Sequence, residues 1–261
     1  MRLRHWLWLP ALLLLGYALV CALLYAKQRS LIYFPQLTPL GDGDPAPDLA
    51  LVRTVGTLRG WVISPGRRDA VIYFGGNAER VQDNREDFAL QLSQRTVYLL
   101  PYRGYGGNPG APTQRDLVGD ALALYDEVRR RHPHGDIAVI GRSLGSGVAS
   151  QVAAQRPVRK LVLITPFDSL VNVAAEHYAW LPVRWLVQDR YDSVTALHGF
   201  AGQVLILRAG RDVVVPPGNT DRLVQALRPG STVVDFPSAG HDDVSAQGEY
   251  WPAIAHFLAQ P

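Results

Sequence analysis

One stretch decides the fold of this chain: Ile137-Ala138-Val139-Ile140-Gly141-Arg142-Ser143-Leu144-Gly145-Ser146-Gly147. An apolar, β-branched run ends in the pattern Gly-x-Ser-x-Gly, and small residues at helical spacing follow it. Strand, sharp turn and helix in this order are typical of a nucleophile elbow. Such a turn holds its serine at a strained backbone angle and leaves no room for neighbouring side chains, which explains Gly141 and Gly145. The pattern predicts that Ser143 projects from the sheet as a nucleophile.

The helix after this turn predicts half of an oxyanion hole. Its first amides, including the N–H of Leu144, point to where charge would develop on a substrate oxygen. We expect the second donor in the loop after Phe74, where Gly76 allows close approach of the backbone and the N–H of Asn77 pairs with that of Leu144. Ordinary glycine turns remain the alternative at both places.

A serine nucleophile needs a base and a carboxylate that orients the base. Of the seven histidines, His241 alone lies in a loop after a late predicted strand, and Asp212 follows the strand that ends at Leu207. Asp212 has an alternative role as a turn residue that caps the next helix. The order Ser143, Asp212, His241 is that of α/β-hydrolases. Asp242 and Asp243 are weaker candidates, because a residue next to His241 reaches its Nδ1 with difficulty.

Strands and helices alternate along most of the chain. We predict helices over residues 81–94, from a cap at Thr113 to Arg131, over 146–156 and 216–227, and up to Leu258. This alternation predicts an α/β fold with a mainly parallel sheet that helices cover on both faces. Residues 51–261 form one domain, in which residues 165–200 interrupt the alternation as a cap-like insertion. The predicted strands are 51–55, 57–64, 70–74, 96–100, 136–140, 158–164, 203–207 and 232–236.

The amino-terminal segment predicts membrane attachment. Residues 6–26 carry no charge, and a helix of that length is about 30 Å long, enough to cross a bilayer. We predict an uncleaved signal anchor over residues 1–27, followed by a junction and linker over 28–50; a cleaved signal peptide is the alternative. Two Arg or Lys residues flank each end of the segment, so these charges do not decide its orientation. The positive charge of the free amino terminus slightly favours an amino terminus on the inner side, with the hydrolase domain exported to the periplasmic or luminal side.

Composition excludes several classes of function. The net charge is +3 and the sequence pI about 9.1, but the basic residues are scattered and do not interleave with aromatic ones, so no nucleic-acid partner is expected. Cys21 is the single cysteine, which excludes an intramolecular disulfide and a cysteine-rich metal site.

Several motifs occur together in this chain: Gln28…Leu31-Ile32-Tyr33-Phe34-Pro35, Tyr73-Phe74-Gly75-Gly76-Asn77-Ala78, Tyr102-Arg103-Gly104-Tyr105-Gly106, Gly141-Arg142-Ser143-Leu144-Gly145, Pro166-Phe167-Asp168-Ser169, Gly210-Arg211-Asp212-Val213-Val214-Val215-Pro216 and Gly240-His241. As a set they resemble the membrane-anchored α/β-hydrolase-domain serine hydrolases, which include lysophospholipases and protein depalmitoylases. The resemblance covers residues 28–257. That family usually reads His-Gly-Asn where this chain has Gly75-Gly76-Asn77; the histidine is mainly structural, so the departure concerns the rigidity of the loop more than the triad.

The resemblance implies hydrolysis of carboxylic esters or thioesters through a Ser-His-Asp triad and an acyl-enzyme, without metal or organic cofactor. The substrate is an ester or thioester, with a lipid or a lipidated protein as the candidates. Arg142 either pairs with a surface carboxylate or contacts a substrate headgroup. Tyr178 and Trp180 of the insertion either pack locally or line an acyl-chain pocket or lid. A non-catalytic membrane-anchored scaffold and an acyltransferase are the alternative functions.

Overall fold

The computed structural model describes residues 8–41, 43–227 and 230–260. Within these residues, eight strands form one sheet in the order β1-β2-β4-β3-β5-β6-β7-β8. The first pairings, β1 with β2 and β2 with β4, are antiparallel, and all later ones are parallel, which confirms the predicted α/β-hydrolase architecture. The strands are β1 (Leu49–Arg53), β2 (Gly56–Ile63), β3 (Ala70–Phe74), β4 (Thr96–Leu99), β5 (Ile137–Arg142), β6 (Lys160–Ile164), β7 (Gln203–Ala209) and β8 (Thr232–Phe236).

Helices cover both faces of the sheet, which is why the central strands are buried at nearly every position. Alternate residues of a strand point to opposite faces. Ile72 of β3 therefore belongs to one core cluster and its neighbour Val71 to the other. The helices are α1 (Trp8–Ile32), α2 (Arg85–Gln91), α3 (Gln114–Arg131), α4 (Leu144–Gln155), α5 (Leu170–His177), α6 (Val183–Leu186), α7 (Ser193–Leu197), α8 (Pro217–Ala226) and α9 (Tyr250–Ala259).

Two helices differ from the sequence-based expectation. The segment predicted as one helix over 81–94 is a 3-10 turn, Val81–Asn84, followed by the short α2. Helix α4 begins at Leu144 instead of residue 146, directly after Ser143. The earlier start matters for the site, because it places the first turn of the helix next to the predicted nucleophile.

Helix α1 is the one helix of the described residues that is long and apolar enough to cross a membrane. The apolar segment has a mean hydropathy of 2.2, and none of α1 is buried in the protein. The first residues of the predicted span, Trp6 and Leu7, lie outside the described residues. The helix continues to Ile32, so it extends past the predicted boundary at residue 27 without a break.

Residues 165–200, named the cap below, contain the short helices α5, α6 and α7. The cap begins at the carboxyl end of β6, and its first part, with α5 and α6, lies over the edge where the parallel strands end, while α7 packs against α4. The same edge carries the loops after β3, β5, β7 and β8, and these loops contain the predicted site residues.

Candidate active site

Ser143 lies at the sharp turn between β5 and α4. Its backbone φ is +51°, a left-handed value that few residues other than glycine adopt. The Cβ of an alanine at position 141 would lie 2.3 Å from the carbonyl oxygen of Gly145, and one at position 145 would lie 2.0 Å from that of Phe74. Both glycines are therefore required by close backbone contacts, as the motif predicts.

The three predicted triad side chains form one hydrogen-bonded chain. His241 Nε2 lies 2.8 Å from Ser143 Oγ, and His241 Nδ1 lies 2.7 Å from Asp212 Oδ2. All three residues are buried, with 8%, 9% and 5% of the surface of Ser143, His241 and Asp212 exposed. This arrangement gives Ser143 a base, and gives that base a carboxylate that fixes its orientation.

The loops after β7 and β8 hold Asp212 and His241 in place. The second oxygen of Asp212 accepts hydrogen bonds from the N–H groups of Val214 and Val215, at 2.9 and 2.7 Å. The N–H of Arg211 donates to the carbonyl of Ala239, so the two loops are joined. These bonds leave one oxygen of Asp212 directed at the imidazole.

The two weaker carboxylate candidates do not contact the imidazole of His241. Asp242 is exposed and lies 3.6 Å from Arg142. Asp243 accepts a hydrogen bond from the N–H of Gly240 at 2.6 Å, which shapes the turn before His241. The alternative role of Asp212 as a cap of the next helix is also not observed, since its contacts are to Val214, Val215 and His241, and α8 begins at Pro217.

Asn77 and Leu144, the predicted oxyanion donors, both line a cavity that contains Ser143. The N–H of Leu144 belongs to the first residue of α4 and has no acceptor within its own helix. Among the described residues the backbone N–H of Asn77 has no hydrogen-bond partner either. Tyr102 and Tyr105 support this loop by donating to the carbonyls of Gly75 and Asn77, at 2.8 and 2.7 Å.

The sequence analysis missed Glu79, a carboxylate directly behind the predicted oxyanion loop, with 11% of its side chain exposed. It accepts hydrogen bonds from the N–H of Gly76 at 2.7 Å, the hydroxyl of Tyr73 at 2.6 Å and the amide of Asn84 at 2.7 Å. Burial raises the pKa of the Tyr73 phenol well above its ordinary value, so Tyr73 remains a donor. The sequence feature that could have indicated Glu79 is its position, an acidic residue two positions after Asn77, the expected oxyanion donor.

Val81 and Glu79 together explain the glycine at position 75. A Cβ at position 75 would lie 2.6 Å from Val81 and 3.3 Å from the carboxyl group of Glu79. The carboxylate occupies the space beside Gly75 and accepts the hydrogen bond of the Gly76 N–H, so it supports the loop. Gly75 thus stands, with this support, where the family resemblance predicts a histidine.

Arg142 contacts two carboxylates and does not line the cavity. It lies 3.4 Å from Glu79 and 3.6 Å from Asp242, with 19% of its side chain exposed. It also donates a hydrogen bond to the carbonyl of His241 at 3.5 Å. Its contacts are therefore with carboxylates and with the loop that carries His241, which favours pairing over contact with a substrate headgroup.

The cavity has a volume of about 420 Å³, within the range of small-molecule sites. Tyr178 and Trp180 line it, as does His177, whose Nε2 lies 2.9 Å from the carbonyl of Val214. Tyr178 and Trp180 are also 51% and 61% exposed, so they do not pack into the domain core. Apart from the catalytic edge, most of the lining is aliphatic or aromatic.

Comparison with known proteins agrees with the fold. A model of the α/β-hydrolase fold family matches residues 69–200. The chain belongs to the α/β-hydrolase family. An uncharacterized protein of Mycobacterium tuberculosis (strain H37Rv) is 37% identical over 235 residues, which cover 86% of this chain and 84% of that protein.

Two further similarities concern named hydrolases. The lysophosphatidylserine lipase ABHD12 of Danio rerio is 31% identical over 167 residues, 56% of this chain and 44% of that protein. The solved structure of the Pyrococcus furiosus esterase Pf2001 superposes with a TM-score of 0.66 at 18% identity, over 83% of this chain and 90% of that one. This α/β-hydrolase thus shares its fold with an esterase and is similar in sequence, over about half of its length, to a lipase.

Proposed function

We propose that this α/β-hydrolase cleaves carboxylic ester or thioester bonds through an acyl-enzyme on Ser143. The observation that carries the proposal is the hydrogen-bonded chain of Ser143, His241 and Asp212, whose serine lines an apolar cavity. A buried serine that contacts a buried histidine is poised to lose its proton during attack. A binding protein on the same fold would not require that arrangement.

The reaction follows from the contacts. His241 Nε2 takes the proton of Ser143 as Oγ attacks the acyl carbonyl, while Asp212 holds the tautomer and stabilises the imidazolium. The N–H groups of Asn77 and Leu144 stabilise the oxyanion. The imidazolium then returns the proton to the departing alkoxide or thiolate. Water, deprotonated by the same histidine, releases the acyl group and restores Ser143.

We propose a substrate with a long acyl chain, either a lipid or a lipidated protein. The apolar lining of the cavity supports this choice, because an acyl chain gains about 0.8 kcal/mol for each methylene removed from water. The similarity to a lysophosphatidylserine lipase adds support for a lipid ester.

We also propose that α1 remains attached as a membrane anchor, with the hydrolase domain on the exported side. Its length and apolar composition support a membrane span. The hydrogen bond from the Tyr17 hydroxyl to the carbonyl of Trp180 in the cap supports retention, because cleavage after the apolar segment would remove it. Protease accessibility in sealed spheroplasts tests the topology: digestion of the domain from outside supports export, and protection refutes it.

Fluorophosphonate labelling of the detergent-solubilised full chain tests the proposed chemistry. Wild type is expected to be labelled and to turn over p-nitrophenyl esters, and Ser143→Ala is expected to do neither. Ser146→Ala is the matched control, because Ser146 belongs to the same helix turn and bonds only to the carbonyl of Ser143. If folded wild type takes no label, the proposed hydrolase function is refuted and a non-catalytic scaffold is favoured. If the acyl group is transferred to an added alcohol, an acyltransferase function is favoured.

A further inference from the structure

The last turns of α1 lie against the active-site cavity instead of leading away from the domain. Val20, Leu24, Gln28 and Leu31 line the same cavity as Ser143. They are separated by four, four and three residues, so they share one face of the helix. Leu19, by contrast, is 59% exposed and does not line the cavity.

Polar contacts fix α1 in this position. The Gln28 side-chain amide donates to the carbonyl of Leu186 at 3.0 Å and accepts from the N–H of Gln188 at 2.8 Å. Arg29 lies 3.1 Å from the buried carboxylate of Asp189, and the Tyr33 hydroxyl donates to the same carboxylate oxygen at 3.0 Å. The end of the helix is therefore joined to the cap by several side chains, and is not a flexible tether.

The end of α1 also contacts the oxyanion loop. The Asn77 side-chain amide donates to the carbonyl of Ile32 at 3.0 Å, and the N–H of Phe34 donates to the carbonyl of Asn77 at 3.1 Å. The predicted oxyanion donor and the end of the helix thus hold each other in place. The helix is part of the active-site structure as well as an attachment.

The cap lies beside the apolar part of α1. The hydroxyl of Tyr17 donates to the carbonyl of Trp180 at 3.0 Å. Tyr17 lies nine residues before Ala26, the end of the predicted membrane span, which is about 14 Å along the helix. This distance is close to half the thickness of the hydrocarbon layer of a bilayer. Trp180 and Trp185 are 61% and 86% exposed next to this apolar helix. Such side chains suit a membrane rather than water, so the entrance between α1 and the cap faces the lipid.

We propose that α1 is a wall of the acyl-chain site, with Leu24 as a residue that determines chain length. The occupant is the acyl chain of an ester embedded in the bilayer, which enters between α1 and the cap and reaches Ser143 without crossing water. The inference rests on the proposed hydrolase function and adds that the membrane helix itself selects the substrate. An enzyme whose anchor were only a tether would bind chains in the same way whatever side chain stood at position 24.

The test compares full-length variants on p-nitrophenyl butyrate and p-nitrophenyl palmitate in the same detergent micelles. Leu24→Trp fills the cavity, and Leu19→Trp places the same side chain on the lipid-facing side of the helix. Displacing two or three methylene groups is expected to lower the palmitate-to-butyrate ratio of kcat/KM about 15- to 60-fold in Leu24→Trp. The ratio in Leu19→Trp is expected to stay within about twofold of wild type, because the substitution leaves the cavity unchanged.

A ratio in Leu24→Trp equal to that in Leu19→Trp would overturn the inference while butyrate turnover still supported the hydrolase. If Leu24→Trp fails to fold, Leu24→Ala decides: a larger cavity is expected to move the optimum to longer chains, and an unchanged optimum refutes the inference. Wild type that neither takes a fluorophosphonate label nor cleaves butyrate would instead refute the proposed function itself.

Discussion

Replacing Glu79 by glutamine removes a negative charge from behind the oxyanion loop while preserving the shape of the side chain. Glu79 accepts hydrogen bonds from four donors, on Gly76, Tyr73, Asn84 and Arg142. A glutamine has one oxygen and one NH₂ group, so at least one of these donors would face another donor. A hydrogen bond to a charged group contributes about 1.5–3 kcal/mol. We expect the cost to fall on the bond that fixes Gly76, next to the donor Asn77.

The expected kinetic effect is intermediate. Removing an oxyanion donor altogether costs about 10²- to 10³-fold in kcat. Glu79→Gln keeps the N–H of Asn77 but loosens its position, so kcat is expected to fall about 10- to 100-fold, equivalent to about 1.4–2.7 kcal/mol in the barrier. KM should change little, because Glu79 does not line the cavity.

Steady-state hydrolysis of p-nitrophenyl butyrate measures this effect, with the active fraction titrated by fluorophosphonate. Glu86→Gln is the matched control, since Glu86 is an exposed residue in the first turn of α2. A kcat for Glu79→Gln equal to that of Glu86→Gln, at an unchanged melting temperature, would refute the argument. A loss that disappears after correction for active fraction would show a purely structural role.

Two further predictions concern the triad and the elbow. Asp212→Asn should lower kcat about 10⁴-fold, because an amide no longer holds the required imidazole tautomer of His241. Thermal unfolding should change little, because the amide oxygen still accepts hydrogen bonds from Val214 and Val215. A loss below about tenfold in ester turnover would mean that another carboxylate orients His241. Gly145→Ala should destabilise the protein by about 3 kcal/mol or more in urea unfolding, because its Cβ would lie 2.0 Å from the carbonyl oxygen of Phe74. Gly248→Ala, with no atom within 4 Å of the new Cβ, is its control, and equal midpoints would contradict the reasoning.

The loop at residues 75–79 shows where sequence reasoning reached its limit. Its glycines and its position after a strand were sufficient to predict an oxyanion loop. The sequence did not reveal that Glu79 turns back under the loop, because that depends on the space left by Gly75, Val81 and Tyr73 in three dimensions. The sequence left the role of Arg142 open for the same reason, because its neighbour Glu79 lies 63 residues away in the chain.

Local chemistry therefore determined the fold and the identity of the candidate triad. Alternating apolar runs specify strands and helices, and a glycine turn specifies the elbow, because each depends on residues close together in the chain. The tertiary structure alone decided what surrounds the triad. The cavity wall joins α1 to a cap some 160 residues later, through pairs such as Arg29 and Asp189. No pattern along the chain encodes such contacts, since they arise only when the sheet brings distant loops and the end of α1 to one edge.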